Sequence, residues 1–228
     1  MREIDSQQVR TLPLFRDMEQ RNFESLVTAA FLQRFPSRVV LIQEGDTPDF
    51  LHVIVDGAVD LFARQLERET TLTVLGSGAT FILAAVMCEK PFLKSARTLV
   101  SSRILMIPAD SVRRMFGIDN GFARASMSEL AIRYRAIVKD LKGQKLRSGI
   151  ERLGSWVLQQ SLVRAGAVSF DIAIDKRTLA SLLGMTPENL SRNISDLCEH
   201  GVRVKGRSVA IENPAALRRL VHPSATME

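Results

Sequence analysis

Glu188, Ser191, Arg192 and Ser195 stand at i, i+3, i+4 and i+7, the spacing that lays four side chains along one stripe of an α-helix. Their chemistry matches base-pair edges. A guanidinium at Arg192 can donate two hydrogen bonds to guanine O6 and N7, a carboxylate at Glu188 can accept from cytosine N4, and the Ser191 hydroxyl suits a base edge or a thymine methyl. The bland alternative is a solvated face with an i,i+4 Glu188–Arg192 pair, worth a few tenths of a kcal/mol. Ten residues further on, Val202 to Ile211 alternate around Lys205-Gly206-Arg207. That is a hairpin whose two tip cations suit phosphates, contacts that position a protein without reading sequence.

A helix must carry the stripe and a second must brace it. Asp175 is an N-cap for residues 176–183, whose Leu179, Leu182 and Leu183 form an apolar face, and Gly184 suits a left-handed stop. Thr186 caps the next helix, Pro187 fits its first position, and Glu188 favours the positive end of the dipole. Leu190, Ile194 and Leu197 then face inward. Helix, glycine-containing turn, helix is the arrangement whose second helix enters the major groove, and with the following hairpin it predicts a winged helix-turn-helix.

Charge points the same way. Residues 1–141 hold 18 Lys and Arg against 17 Asp and Glu, an excess of +1, whereas residues 142–228 hold 13 against 8, an excess of +5. A cationic field gathered in the last 87 residues favours a polyanion. With 228 residues, 46% hydrophobic and 25% charged, the chain has enough apolar material for one large or two ordinary domains, which argues against disorder. Three histidines, His52, His200 and His222, and two distant cysteines, Cys88 and Cys198, exclude an imidazole cluster or a four-thiolate metal site. The expected metal set is none and the expected catalytic set is none. No stretch of about 18 apolar residues is present and Met1 to Asp5 lacks signal-peptide grammar, so a cytoplasmic protein without membrane attachment is expected.

Upstream, Leu12 to Phe31 has helical spacing. Then Arg38–Ile42, Phe50–Val55, Ala58–Ala63, Thr70–Leu75, Ser95–Val100 and Arg103–Ile107 read as short strands punctuated by Gly45-Asp46, Asp56-Gly57 and Gly76-Ser77-Gly78. Strands so spaced predict an all-β barrel or roll. After Pro108 the pattern is helical, and Met127, Leu130, Tyr134, Ile137 and Leu141 fall at alternating spacings of three and four, a coiled-coil seam. The seam predicts a homodimer. Ile150, Leu153, Val157 and Leu158 mark a further helix, and Val168 to Ile174 alternates as a strand.

In this order the parts resemble the CRP/FNR family of bacterial transcription regulators over essentially the whole chain. The most specific stretch is Gly184-Met185-Thr186-Pro187-Glu188-Asn189-Leu190-Ser191-Arg192, whose Glu-x-x-Ser-Arg spacing is similar to the FNR/FixK branch. The resemblance implies an α+β chain: an N-terminal β-roll of the cyclic-nucleotide-binding jelly-roll type over 1–115, a dimerisation helix over 116–145 and a winged helix-turn-helix DNA-binding domain over 146–228. It further implies TTGA half-sites in an inverted repeat read by Glu188, Ser191 and Arg192. Thr186, Asn189, Ser195, Lys205 and Arg207 complete the expected contacts to double-stranded DNA, and RNA polymerase is the implied further partner.

Departures from the family bear on what is sensed. Cyclic-nucleotide binders of this fold carry Gly-Glu-Leu and then Arg-Ser-Ala, the Glu taking the ribose hydroxyl and the Arg the phosphate. Here the matching residues are Ile82-Leu83-Ala84 and Lys94-Ser95-Ala96. Leu83 cannot accept the ribose hydrogen bond, a loss of about 1–3 kcal/mol, so cyclic AMP is not the expected effector. The N-terminal cysteines of the oxygen-sensing branch are missing, as are the haem-ligating Cys and His of the carbon monoxide sensor. What remains is an apolar stretch, Phe81 to Met87, beneath the seam helix. An apolar or aromatic small molecule is expected there, bounded by Leu83, Met87, Lys94, Ser95, Arg97, Met127 and Tyr134, with an acid group paired to Lys94 or Arg97. The alternatives are haem for nitric oxide or redox sensing through His52, an oxidation switch at Cys198, and a filled core without effector in a regulator set by its own abundance. A cupin-like metalloenzyme lacks histidines, and an adaptor with a decayed DNA-binding domain leaves the Arg192 stripe unexplained.

Overall fold

A computed structural model describes residues 3–227. The chain divides into two compact units between Tyr134 and Arg135.

The first unit opens with α1 (Glu3–Arg10) and α2 (Gln20–Thr28). Of the helix expected over Leu12–Phe31 only Gln20–Thr28 is helical, and residues 11–18 are turns. Pro13 supplies no amide donor there, and the Arg10 guanidinium crosses the turn to the carbonyls of Phe15 at 2.9 Å and Met18 at 2.5 Å. Leu14, Phe15 and Met18 are buried all the same, so their helix-like spacing came from turns wrapped on the core. Phe31 begins a strand.

Eight strands follow among the described residues: β1 (Phe31–Phe35), β2 (Val40–Ile42), β3 (Phe50–Asp56), β4 (Ala58–Gln65), β5 (Arg68–Gly76), β6 (Thr80–Phe81), β7 (Ser95–Thr98) and β8 (Ser102–Pro108). They form two antiparallel sheets, in the orders β1-β8-β3-β6 and β2-β7-β4-β5. Leu51, Val53, Val59, Leu61, Ala96 and Ile104 belong to one apolar core. β3 is buried along nearly its whole length because α3 (Leu83–Cys88) and α4 (Ala109–Ile118) pack on it. The six short β-branched runs form strands as expected, and β1 and β6 are added to them.

Between α4 and α5 (Asn120–Leu146) the chain breaks at Asp119, which is 1% exposed. Its carboxylate accepts from the amides of Glu19 at 3.0 Å and Phe122 at 2.8 Å and from Asn22 at 2.9 Å. Burial pushes this carboxyl up, and those donors outweigh it and hold it below the usual carboxylate range. Gly121 is required here because a Cβ would fall 1.9 Å from the Asp17 carbonyl oxygen.

The second unit takes up the end of α5 and continues through α6 (Gly149–Val163), β9 (Ser169–Asp171), α7 (Lys176–Leu182), α8 (Pro187–Leu197), β10 (Val202–Lys205), β11 (Ser208–Ile211) and α9 (Pro214–Val221). Ser148 and Glu151 close a capping box at the start of α6. The strand expected over Val168–Ile174 pairs only at Ser169–Asp171, where β9 joins the hairpin in the order β10-β11-β9 with Phe170 opposite Val209. α6 packs on α8 and α9.

Candidate nucleic-acid interface

The second helix of the motif is fixed by local chemistry. Asp175 Oδ1 accepts from the Thr178 amide at 2.7 Å, Gly184 takes φ +62°, and Thr186 Oγ1 accepts from the Asn189 amide at 3.3 Å with Pro187 at the first helical position. Leu190 and Leu197 are fully buried and Ile194 partly so, which turns the opposite side of α8 outward. Glu188, Ser191, Arg192 and Ser195 are all exposed, as are Thr186 and Asn189.

Each exposed group has a defined state. The Ser191 hydroxyl donates to the Pro187 carbonyl at 2.9 Å and Ser195 to the Ser191 carbonyl at 3.3 Å, so both hydroxyl oxygens face outward chiefly as acceptors. Arg192 does not form the i,i+4 pair with Glu188 as its hydrogen bond; its Nη2 donates to Asn189 Oδ1 at 3.1 Å. Asn189 thus steers the guanidinium and leaves donors on its outer edge. The backbone amide of Glu188 and the Thr186 hydroxyl hold the Glu188 carboxyl below its ordinary value, so it is ionised at neutral pH.

Behind the stripe is an anchor that sequence reasoning missed. Arg152 on α6 donates through Nε to the Leu183 carbonyl at 2.8 Å and through Nη1 to the Arg147 carbonyl at 2.7 Å, tying the turn of the motif to α6. Only its place one turn after the Ser148 cap is visible in sequence; its tertiary acceptors are not. The hairpin ends in a two-residue turn, Gly206 at φ +61° with Arg207, and both Lys205 and Arg207 are exposed. Arg203 braces the base of the hairpin against Glu212 at 2.7 Å.

The residues expected around an effector separate by environment. Leu83 is 3% exposed and Val86 fully buried at the start of α3, and Met87 packs partly against the core. Ser95 Oγ accepts from the Glu44 amide at 3.0 Å. Arg97 is already engaged: it pairs with Asp60 at 2.7 Å and Glu69 at 2.7 Å and lies over the Phe62 ring at 4.3 Å. Burial opposes the charge of Arg97, and Glu69 and Asp60 outweigh it and raise the guanidinium further. Lys94 is half-buried, and burial together with the neighbouring charge of Arg133 lowers its ammonium. Met127 and Tyr134 are exposed on α5. His52 lies flat on Phe81 at 5.1 Å between centroids, 5% exposed, with Nδ1 unpartnered. Haem iron is ligated through a ring nitrogen, and a ring this buried has no space beside it for a porphyrin, so His52 does not fit haem. Cys88 and Cys198 are exposed free thiols.

Among the described residues no group of three or more His, Cys, Asp or Glu is placed to hold a metal, and no helix is long and apolar enough to cross a membrane. A family model for the cyclic nucleotide-binding domain matches residues 32–119, and one for the Crp-like helix-turn-helix domain matches residues 151–220. The chain is 23% identical to the CRP-like cAMP-activated global transcriptional regulator of Mycobacterium tuberculosis, over 90% of this chain and 95% of that one. Its fold superposes on FixK2 from Bradyrhizobium japonicum with a TM-score of 0.75 at 20% identity, covering 86% of this chain and 99% of that one. A CooA variant from Carboxydothermus hydrogenoformans gives 0.74 at 15% identity, over 86% and 90%. With a β-roll joined to a Crp-like helix-turn-helix, the chain belongs to the CRP/FNR family. It is a DNA-binding transcription regulator and not an enzyme.

Proposed function

We propose that the chain acts as a cytoplasmic homodimer that reads a TTGA-like inverted repeat and answers to a small effector other than cyclic AMP, with RNA polymerase as its further partner. In this reading residues 1–115 sense, 116–145 dimerise and 146–228 bind DNA. The observation that carries the DNA reading is the capped helix α8, which buries Leu190 and Leu197 and presents Glu188, Ser191, Arg192 and Ser195 outward. Arg192 is assigned to the guanine of TTGA, with Asn189 aligning it; Lys205 and Arg207 are assigned to phosphates. Dimerisation is supported by apolar side chains that a lone chain leaves in water: Met127 is 67%, Tyr134 70%, Ile137 61% and Leu141 53% exposed on α5.

On the sensing side, Leu83 offers no acceptor for a ribose hydroxyl, and Arg97 has its charge met by two carboxylates. An apolar or aromatic acid whose head group pairs with Lys94 fits these constraints better than a cyclic nucleotide. Binding isotherms on a TTGA repeat and on a copy with the guanine replaced test the DNA reading. Arg192→Ala should cost about 1–3 kcal/mol per half-site on the first DNA and little on the second. Equal discrimination by Arg192→Ala and the parent would withdraw the assignment.

A further inference from the structure

Beneath the wing of the second unit lies a cleft of about 180 Å³, apart from the base-reading stripe of α8 and bordered by the wing cation Arg207. Ile172, Ile174, Leu179, Ile194 and Val204 line its floor, from the segment before α7, from α7, from the inner side of α8 and from β10. An apolar cavity of about 150 Å³ holds a benzene ring, so the volume is that of one ring. The mouth is charged. Lys176 and Arg207 stand at it, two cations against the single carboxylate of Asp175, whose Oδ1 accepts from the Thr178 amide as the α7 cap.

We propose that this cleft is a second small-molecule site, one that takes a single-ring or short aliphatic carboxylate with its apolar body on Ile194 and Val204 and its carboxylate between Lys176 and Arg207. Such an acid would occupy the underside of α8 and neutralise a wing cation at once, so binding of the acid and of DNA would oppose each other. The coupling to DNA rests on the operator reading above; the cleft itself does not.

Sodium benzoate, titrated into the full-length methyl-labelled protein without DNA at constant ionic strength, is the direct probe, with benzyl alcohol as its neutral counterpart. Benzoate should give saturable shifts at the Ile172, Ile194 and Val204 methyls. Lys176→Gln should weaken benzoate at least about threefold and leave benzyl alcohol unchanged, since one of two cations is lost. Val204→Phe should fill the cleft and remove both sets of shifts, and Val204→Met serves in its place if the Phe variant does not fold. Saturating benzoate should then weaken operator binding severalfold in the parent and by less in Lys176→Gln. The absence of saturable shifts at those three methyls, or equal loss of benzoate and benzyl alcohol in Lys176→Gln, would overturn the site. Shifts present with operator affinity unmoved would overturn the coupling alone, and shifts present in a protein that binds no operator would overturn the DNA reading while leaving the site.

Discussion

His52 makes the β-roll measurably sensitive to acid. Burial lowers its pKa from 6.5 to about 4, and the Phe50 backbone opposes that shift only in part. Below pH 6.5 the unfolded chain therefore takes up a proton that the folded chain refuses, and stability that is whole above pH 6.5 is lost progressively as the pH falls toward 4. At about 1.4 kcal/mol per pH unit the full loss is ~3 kcal/mol, of which ~2 kcal/mol has gone by pH 5. Replacing His52 with Phe keeps a flat ring against Phe81 and removes the titration. Urea unfolding of both proteins at pH 7.5 and 5.0, read by circular dichroism and by hydrogen exchange at the β3 amides, isolates the residue as a difference of differences. The carboxylates that also titrate in acid are common to both and cancel. His52→Phe should lose ~2 kcal/mol less than the parent over that interval. Equal losses in the two proteins would refute the argument, because the proton would then be binding elsewhere.

Ile137→Asp should turn a dimer into a monomer in sedimentation and abolish tight operator binding, since a carboxylate would be buried without a partner at the α5 seam; an unchanged dimer would place the interface elsewhere. Cyclic AMP at micromolar concentration should leave the thermal unfolding of the β-roll unmoved, whereas an aromatic acid that binds at a hundredfold excess over its Kd should stabilise by about 2.7 kcal/mol. Lys205→Ala should weaken binding to all DNA sequences alike and lower the salt slope by about one contact; a selective loss on TTGA alone would make Lys205 a base reader.

The parts of the fold that sequence made legible are those whose cause is local. Asp175, Gly184, Thr186 and Pro187 each act within four residues, so both helices of the motif could be drawn from residue type alone, and each cap is observed. The strands of the roll were equally readable because short β-branched runs are cut off by local turn residues such as Gly45-Asp46 and Asp56-Gly57. The N-terminal helix misled for the opposite reason: Leu14, Phe15 and Met18 are core residues set by long-range burial, and only the Arg10 contacts with the Phe15 and Met18 carbonyls reveal the turns. β6 is two residues long and carries no period to detect.

The same division separates the DNA face from the sensing residues. The stripe on α8 is a one-helix pattern, whereas the chemistry around Arg97 depends on Asp60 and Glu69 from two other strands, brought together by the pairing of β4 with β5 and β7. From sequence either cation, Lys94 or Arg97, could pair with an acid group. In the fold the two differ. A guanidinium held by two carboxylates and resting on an aromatic face has little to gain from a third anion, while an ammonium that burial and Arg133 both depress gains from any anion that reaches it. An effector acid should therefore be stabilised by Lys94, which stands where the phosphate-binding arginine of the cassette would be, and be indifferent to Arg97.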